Sequence, residues 1–525
     1  MIKRLESIEE QISCLKADLL QSHVKNVGTA AAHASPESTA SFSLRDKPSV
    51  PAKSSGKHFV EDATGATIFL GSHSDIPAAL GCRQASRDAP MPDAFVLDQL
   101  VPRTYPFTSL WGPEAGAGEV SMTLPDDSDI IRYWQVYKNC AYPFYPGLVT
   151  IEQFETSLFK FLDRRAELDR SNELSSLDEI DSSWLALLFA VLAGGVQFSE
   201  DPIKERDLRS KVFVCSSFQC LRISNFFNNT NLNQIQAMAL IGHCLRNNLD
   251  TNSAWILMGA TMRLAQSIGL HEEAVLPESS SSVIDRWMLL WQDTFLSFTY
   301  DRPPSTINHS STIPHRADSG PEKSFAECIF TLCQVLLDRA RNYDTEIVSS
   351  TLTYKRRVEA VWDDAAPFLR SKSRCRTLQD HLEYLGLRIH VNYGICRLCR
   401  LILDTTSTTN PTLVDLDSLQ KDCCNRATEA IESFLDMHRL SATVCRSWAF
   451  VHNAVSCAFT LQNIDARASE AHSAELVKRL VTVLGHEERM SSWQDADTNI
   501  RSFGPYSRAL KALKESISNG SSDMY

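Results

Sequence analysis

Glycine is scarce in this chain, at 20 residues in 525, which disfavours a glycine-rich nucleotide site or a β-rich design. Long apolar runs are missing too. The longest, Trp184 to Val196 (WLALLFAVLAGGV), falls short of the about 20 residues a membrane-spanning helix needs, so it reads as a buried core helix. No signal peptide opens the chain, because acidic and basic residues interrupt its first turns. Basic residues are outnumbered, 52 against 64, and the net charge is −12. Such a surface repels phosphate backbones on average, so any work on DNA needs a separate basic module. The 15 cysteines are odd in number and scattered, unlike a secreted disulfide framework. A reducing compartment, cytosol or nucleus, is expected.

Catalytic signatures are also wanting. There is no G-x-S-x-G elbow, no G-x-x-x-x-G-K, no dinucleotide fingerprint and no H-E-x-x-H. His271-Glu272-Glu273 and His486-Glu487-Glu488 each lack the second histidine that would place two ligands on one helix face. Cys396-Arg397-Leu398-Cys399 is the only C-x-x-C, with His390 nearby, and it sits in a stretch that reads as one helix. Positions i and i+3 share a helix face, so two buried small hydrophobes are the simpler account. Cys423-Cys424 and Cys215 with Cys220 offer no complementary spacing. Lys355-Arg356-Arg357 and Lys372 to Arg376 are short basic runs of the kind found on exposed helix faces. The chain is therefore read as a non-enzyme with no catalytic or metal-ligating residue and no cofactor of its own.

What is present begins at the first residue. Met1, Leu5, Ile8, Ile12, Leu15 and Leu19 recur at alternating steps of four and three, the spacing of a helix that zips against another helix. With Leu5, Ile12 and Leu19 at a and Met1, Ile8 and Leu15 at d, Arg4 falls at g and Glu9 at e, positioned to pair across a parallel dimer. An amphipathic helix packed on its own domain is the competing reading, since so short a zipper is marginal alone.

Residues 1–21 are accordingly taken as a short coiled-coil helix, and 22–62, rich in Ser, Ala, Pro and Lys, as a disordered linker. Residues 63–127 read as an irregular segment lying on a helical body. Residues 128–318 form the core of that body, 319–518 its helical continuation, and 519–525 a disordered tail. Periods near 3.6 run through 205–226, 232–247, 253–268, 282–300, 322–345, 350–370, 376–404, 414–437, 441–464, 471–486 and 497–516. The glycine pair after Val191-Leu192-Ala193 is expected to stop the apolar helix. The fold class is all-α, a large multi-helix bundle or array.

Two stretches carry more specific information. Residues 231–273 (NLNQIQAMALIGHCLRNNLDTNSAWILMGATMRLAQSIGLHEE) read as a helical hairpin. Asn231 and Gln234 can cap the first helix, Asp250 to Ser253 supply turn and cap oxygens, and Gly269 supplies a left-handed stop. The second helix is apolar on two sides and should be buried. Residues 285–307 (DRWMLLWQDTFLSFTYDRPPSTI) follow.

Together these stretches resemble the fungal-specific transcription factor domain, the large middle homology region of binuclear zinc cluster regulators. The positions that carry the likeness are Trp255, Gly259, Ala265, Gly269, Leu270, His271, Trp287, Asp293, Ser297, Arg302, Pro303 and Ile307. Arg286-Trp287 stands where the family has a tryptophan pair, and Asp301 where it has glycine. Weaker echoes occur in YWQVYKNCAYPFYPGLVTIEQF and in TGATIFLGSHSD.

The resemblance implies a nuclear transcription regulator, and for many short relatives one that controls a specialised-metabolite gene cluster. Relatives read DNA through an N-terminal six-cysteine cluster holding two zinc ions. Cys14 is the only cysteine before Cys82, so no DNA-reading residue can be carried over. The expectation is a homo- or heterodimer formed through Met1–Leu19, with promoter contact supplied by a partner or by a module upstream of Met1. A small-molecule effector is a further possible partner, and no membrane is expected. The competing class is a helical-repeat scaffold for protein interactions, echoed faintly by Trp255-x2-Met258-Gly259. No second copy at a period near 34 residues supports it.

Overall fold

The computed structural model of the chain describes residues 57–60, 67–70, 83–84, 110–112, 114–147, 150–171, 180–248, 250–271, 280–305, 322–341, 347–406, 416–465, 471–492 and 513. The zipper positions Met1, Leu5, Ile8, Ile12, Leu15 and Leu19 lie outside these residues.

Helices dominate. Before them come three short antiparallel strands in the order β2-β1-β3: β1 (Lys57–Val60), β2 (Thr67–Leu70) and β3 (Arg83–Gln84). Lys57 pairs with Leu70 and Val60 with Thr67, while Phe59 pairs with Gln84. β1 thus falls within the stretch 22–62 read as linker, and the other two within 63–127. Their β-branched and aromatic content (KHFV, TIFL) suits extended backbone, but runs of four are too short to show as a period-two pattern.

Fifteen α-helices follow among the described residues. The first half holds α1 (Ala117–Ser121), α2 (Asp127–Val136), α3 (Ile151–Ser171), α4 (Ser182–Phe198), α5 (Ile203–Ile223), α6 (Leu232–Asn247), α7 (Thr251–Ser267) and α8 (Ser280–Tyr300). The second holds α9 (Phe325–Arg341), α10 (Ile347–Glu359), α11 (Pro367–Arg370), α12 (Leu378–Thr406), α13 (Leu416–Leu440), α14 (Trp448–Asp465) and α15 (Ala471–Ser492).

The period-3.6 stretches and these helices coincide closely, with two informative exceptions. The expected helix 350–370 breaks after Glu359 into a 3-10 turn, Ala360–Trp362, and restarts at Pro367. Ala366 takes an extended ψ of 148°, as a residue before proline must, and Pro367 then opens the next helix where its missing N–H costs nothing. The expected helix 441–464 starts only at Trp448, because Ser447 is extended (ψ 123°) after the 3-10 turn Val444–Arg446. The expected helix 497–516 lies outside the described residues except at Leu513.

The side chains bury into two hydrophobic cores. One gathers α1–α7 with Leu289, Leu296 and Tyr300 of α8, around α4. Every residue of α4 is buried except Ser182, Trp184 and Gln197, so the longest apolar run is a core helix, as its length implied. Among the described residues no helix is long and apolar enough to cross a membrane. The second core gathers α9–α15 with Trp287, Leu290, Trp291 and Phe295 of α8. α8 therefore serves both, one face to each.

The glycine pair does not stop α4, contrary to expectation. The helix runs on to Phe198, and Gly194 and Gly195 instead let α2 approach it. Ser199, extended at ψ 164°, ends the helix. At the start of α2, Asp126 makes no side-chain cap, and Asp127 and Asp129 act from the first turn, where acidic groups favour the helix dipole. A charged cluster then fixes α2 to its neighbours. Arg132 donates to Asp129 and Asp201, Tyr133 Oη donates to Asp201 at 2.8 Å, and Arg209 of α5 donates to Asp129 at 3.1 Å.

Candidate functional site

The hairpin of α6 and α7 folds as its cap residues dictate. The Asn231 side chain accepts from Gln234 N at 3.2 Å and the Gln234 side chain accepts from Asn231 N at 2.8 Å, a reciprocal capping box. Asp250 caps α7 by accepting from Ser253 N. Gly269 takes φ 81°, and Leu270 N closes back onto Ala265 O at 3.1 Å, the left-handed stop expected of it.

α7 is less buried than its two apolar sides suggested. Ala254, Met258, Met262, Leu264, Ala265 and Leu270 face the first core, yet Ile256 is 58% exposed and Ile268 37%. Trp255 and Leu257 are half-buried on its flank.

That flank is where three of the motif positions meet. Trp255 Nε1 donates to Ser297 Oγ of α8 at 3.2 Å. The Arg302 guanidinium lies over the Trp255 ring at 4.5 Å and over the Tyr300 ring at 4.4 Å. Both of its terminal nitrogens donate to Asn252 Oδ1 at 3.2 Å. Burial holds Arg302 below the ordinary arginine value, partly offset by Tyr300.

Asp301 places the arginine there. Its φ of 52° is the left-handed turn that glycine adopts most easily, and Arg302 N returns to Ser297 O at 2.9 Å. The departure from glycine therefore keeps the backbone turn. Trp255, Ser297 and Arg302, 47 positions apart at the extremes (302 − 255), form one latch closing α7 onto the end of α8.

The remaining motif residues lie outside this latch. Trp287 is buried against Phe330, with ring centres 5.4 Å apart. Asp293 is buried on α8, His271 is half-buried and Pro303 exposed. Gly259 has room: a Cβ there would meet only Ser305 Oγ at 3.9 Å. Ile307 lies outside the described residues. Asn252 and Tyr300, half of the arginine's surroundings, carried no signal in the sequence, since neither belongs to a recognisable spacing.

The cysteine readings hold in part. Cys396 and Cys399 are buried on α12 like small hydrophobes. Cys423 of α13, however, comes within 3.6 Å of Cys396 sulfur to sulfur, a neighbour that sequence spacing hid because it arises from helix packing. Among the described residues no group of three or more His, Cys, Asp or Glu side chains is arranged to hold a metal ion. The basic runs are partly neutralised. Lys355 pairs with Glu359 and Asp422 at 2.8 Å each, Arg357 with Asp338 at 2.6 Å, and Lys372 with Asp436 at 3.5 Å.

Comparison with known families bears on this same region. The model of the fungal specific transcription factor domain matches residues 130–319, from the second turn of α2 past the latch. Residues 130–319, 190 of the 525 in the chain, are thus similar to that domain. That family is one of transcription factor domains, not a family of enzymes. No curated protein matches the chain.

Proposed function

We propose that the protein is a nuclear transcription regulator that controls a specialised-metabolite gene cluster and works as a dimer through Met1–Leu19. The observation that supports it is the match over residues 130–319, laid on a helical body whose motif residues Trp255, Ser297 and Arg302 assemble into one latch. The acidic balance of −12 favours a division of labour. A basic partner or an upstream module contacts promoter phosphates, and this helical body regulates the assembly.

Transcript profiling of a deletion strain tests the regulator reading. Coordinated change across one set of clustered biosynthetic genes is expected, and restoring the gene should reverse it. A gel shift on the promoters of those genes should show no complex with the isolated chain, and a complex once a zinc-cluster partner is added. An unchanged transcriptome would instead favour a protein-interaction scaffold. For the dimer, Leu5→Asp with Ile12→Asp should convert the species seen by sedimentation to a monomer.

A further inference from the structure

Arg246, near the end of α6, is 2% exposed, where the first core meets the second. Its guanidinium carbon lies over two aromatic rings, 4.3 Å from the centre of Tyr145 and 5.3 Å from that of Trp448 of α14. Of its nitrogens, neither Nε nor Nη2 has a hydrogen-bond partner. Among the described residues no carboxylate pairs with it, and burial lowers its pKa with only Tyr145 offsetting the effect. Arginine cannot shed its charge in a protein, so the cation stays, desolvated and uncompensated.

The neighbourhood offers no internal remedy. His243, one turn earlier, stacks on Tyr145 with ring centres 3.5 Å apart. Its Nε2 meets Asn247 Nδ2 at 3.1 Å, and its Nδ1 has no partner. His390 of α12 bonds through Nδ1 to Asn453 at 3.1 Å. Both imidazoles are held below their ordinary pKa, first by burial and then by the charge of Arg246. An imidazole is either neutral or cationic, so neither supplies the negative charge that Arg246 lacks.

The two unpartnered nitrogens lie on the same edge of a guanidinium, and their N–H bonds point side by side. This is the fork that receives both oxygens of a carboxylate. The flanking aromatic rings suit the apolar body of a small organic acid. A dianionic phosphate would call for more than one cation.

We propose that Arg246 is the recognition residue of an effector site at the junction of the two cores, and that the site takes a small organic monocarboxylate. The regulator reading supplies the role of such a ligand as an effector. Binding itself can be measured whether or not the chain acts on transcription.

The test is thermal unfolding of the full chain with formate, isobutyrate and benzoate, each set against its neutral amide, and with sodium chloride and inorganic phosphate at equal ionic strength. At least one carboxylate should raise Tm by about 2 °C or more at saturating concentration, with its amide, chloride and phosphate producing no comparable shift. Arg246→Met should abolish the shift while melting no lower than the parent without ligand, since it removes an unpaired buried charge. Should that variant fail to fold, Arg246→Lys keeps the charge and loses the fork, and its Kd should rise at least tenfold. The proposal is overturned if no carboxylate stabilises the chain, if amide or chloride matches its acid, or if Arg246→Lys binds as the parent does.

Discussion

The carbonyl of Tyr133 stands where Gly195 would carry a Cβ. An added carbon would overlap that oxygen, lying 2.8 Å from the carbonyl carbon and 3.2 Å from Cα of the same residue. These are backbone atoms and cannot rotate aside. α2 and α4 are thus in contact main chain to side-chain-free main chain, at the centre of the first core.

Gly195→Ala should therefore destabilise the protein by about 3 kcal/mol, by forcing the two helices apart. Gly194→Ala should cost less, because its Cβ would meet only the Tyr137 ring, at 3.2 Å. Gly259→Ala should stabilise by roughly 0.5–1 kcal/mol, as a helix glycine with free space beside it. Urea midpoints of the three variants rank these effects.

Asp301 adopts φ 52°, and Asn225 does the same after α5. Asp301→Gly should raise stability by about 0.5–1 kcal/mol without altering the latch, and Asp301→Val should lower it by more than about 1 kcal/mol. The environment of Trp255, read by fluorescence, should change in the valine variant and not in the glycine one.

Stability should fall as the solution is acidified, beginning well above the carboxylate range. Burial, assisted by the charge of Arg246, pushes His390 down to about 3, and the same causes hold His243 well below 6.5. The unfolded chain protonates these imidazoles near 6.5, so below that pH it binds more protons than the folded chain. Each histidine then removes on the order of 1 kcal/mol per pH unit until its folded value is reached. Asp129 and Asp201 add to the loss further down. Burial alone would raise both, but hydrogen bonds from Arg132 and Arg209 to Asp129, and from Arg132, Tyr133 and Ser199 to Asp201, hold them below 3.8. Their contribution is present above about 3.8 and disappears as pH drops through the folded values. Denaturation midpoints at pH 7.5, 6.5 and 5.5 should decline, and His390→Gln should flatten that decline.

Thiol chemistry should separate the cysteines by depth. Burial pushes Cys244 and Cys328 up to about 12, and Cys220 higher still, so they are neither ionised nor accessible at neutral pH. Cys140, Cys375 and Cys424 are half-buried. Among the described cysteines, a disulfide reagent should label these first, and the buried set should react only at the rate of unfolding. Mass spectrometry of quenched time points distinguishes the two groups.

Helix positions, the capping box at Asn231, the Asp250 cap and the Gly269 stop were legible in the residues, because each depends on neighbours within a few positions. The unbroken apolar run of α4 revealed its burial for the same reason. The role of Gly194 and Gly195 was not legible. A glycine that ends a helix and one that admits another helix look alike until the partner backbone is known. Cys423 beside Cys396, and Arg302 between Trp255 and Tyr300, likewise arise from packing between elements. Arg246 was hidden most completely. Its helix carries ordinary basic and polar residues near its end, and only the approach of Trp448 reveals that the charge is enclosed.

That approach has a bearing on how the molecule comes into being. Trp448 N donates to Asn247 Oδ1 at 3.0 Å, joining residues 201 positions apart. During synthesis α6 leaves the ribosome long before α14 exists, and at about 5–20 residues per second the wait is roughly ten seconds or longer. Throughout that interval the Arg246 edge of the first core has no roof. A fragment ending near residue 319 would lack Trp448 altogether and leave Asn247 Oδ1 without this donor.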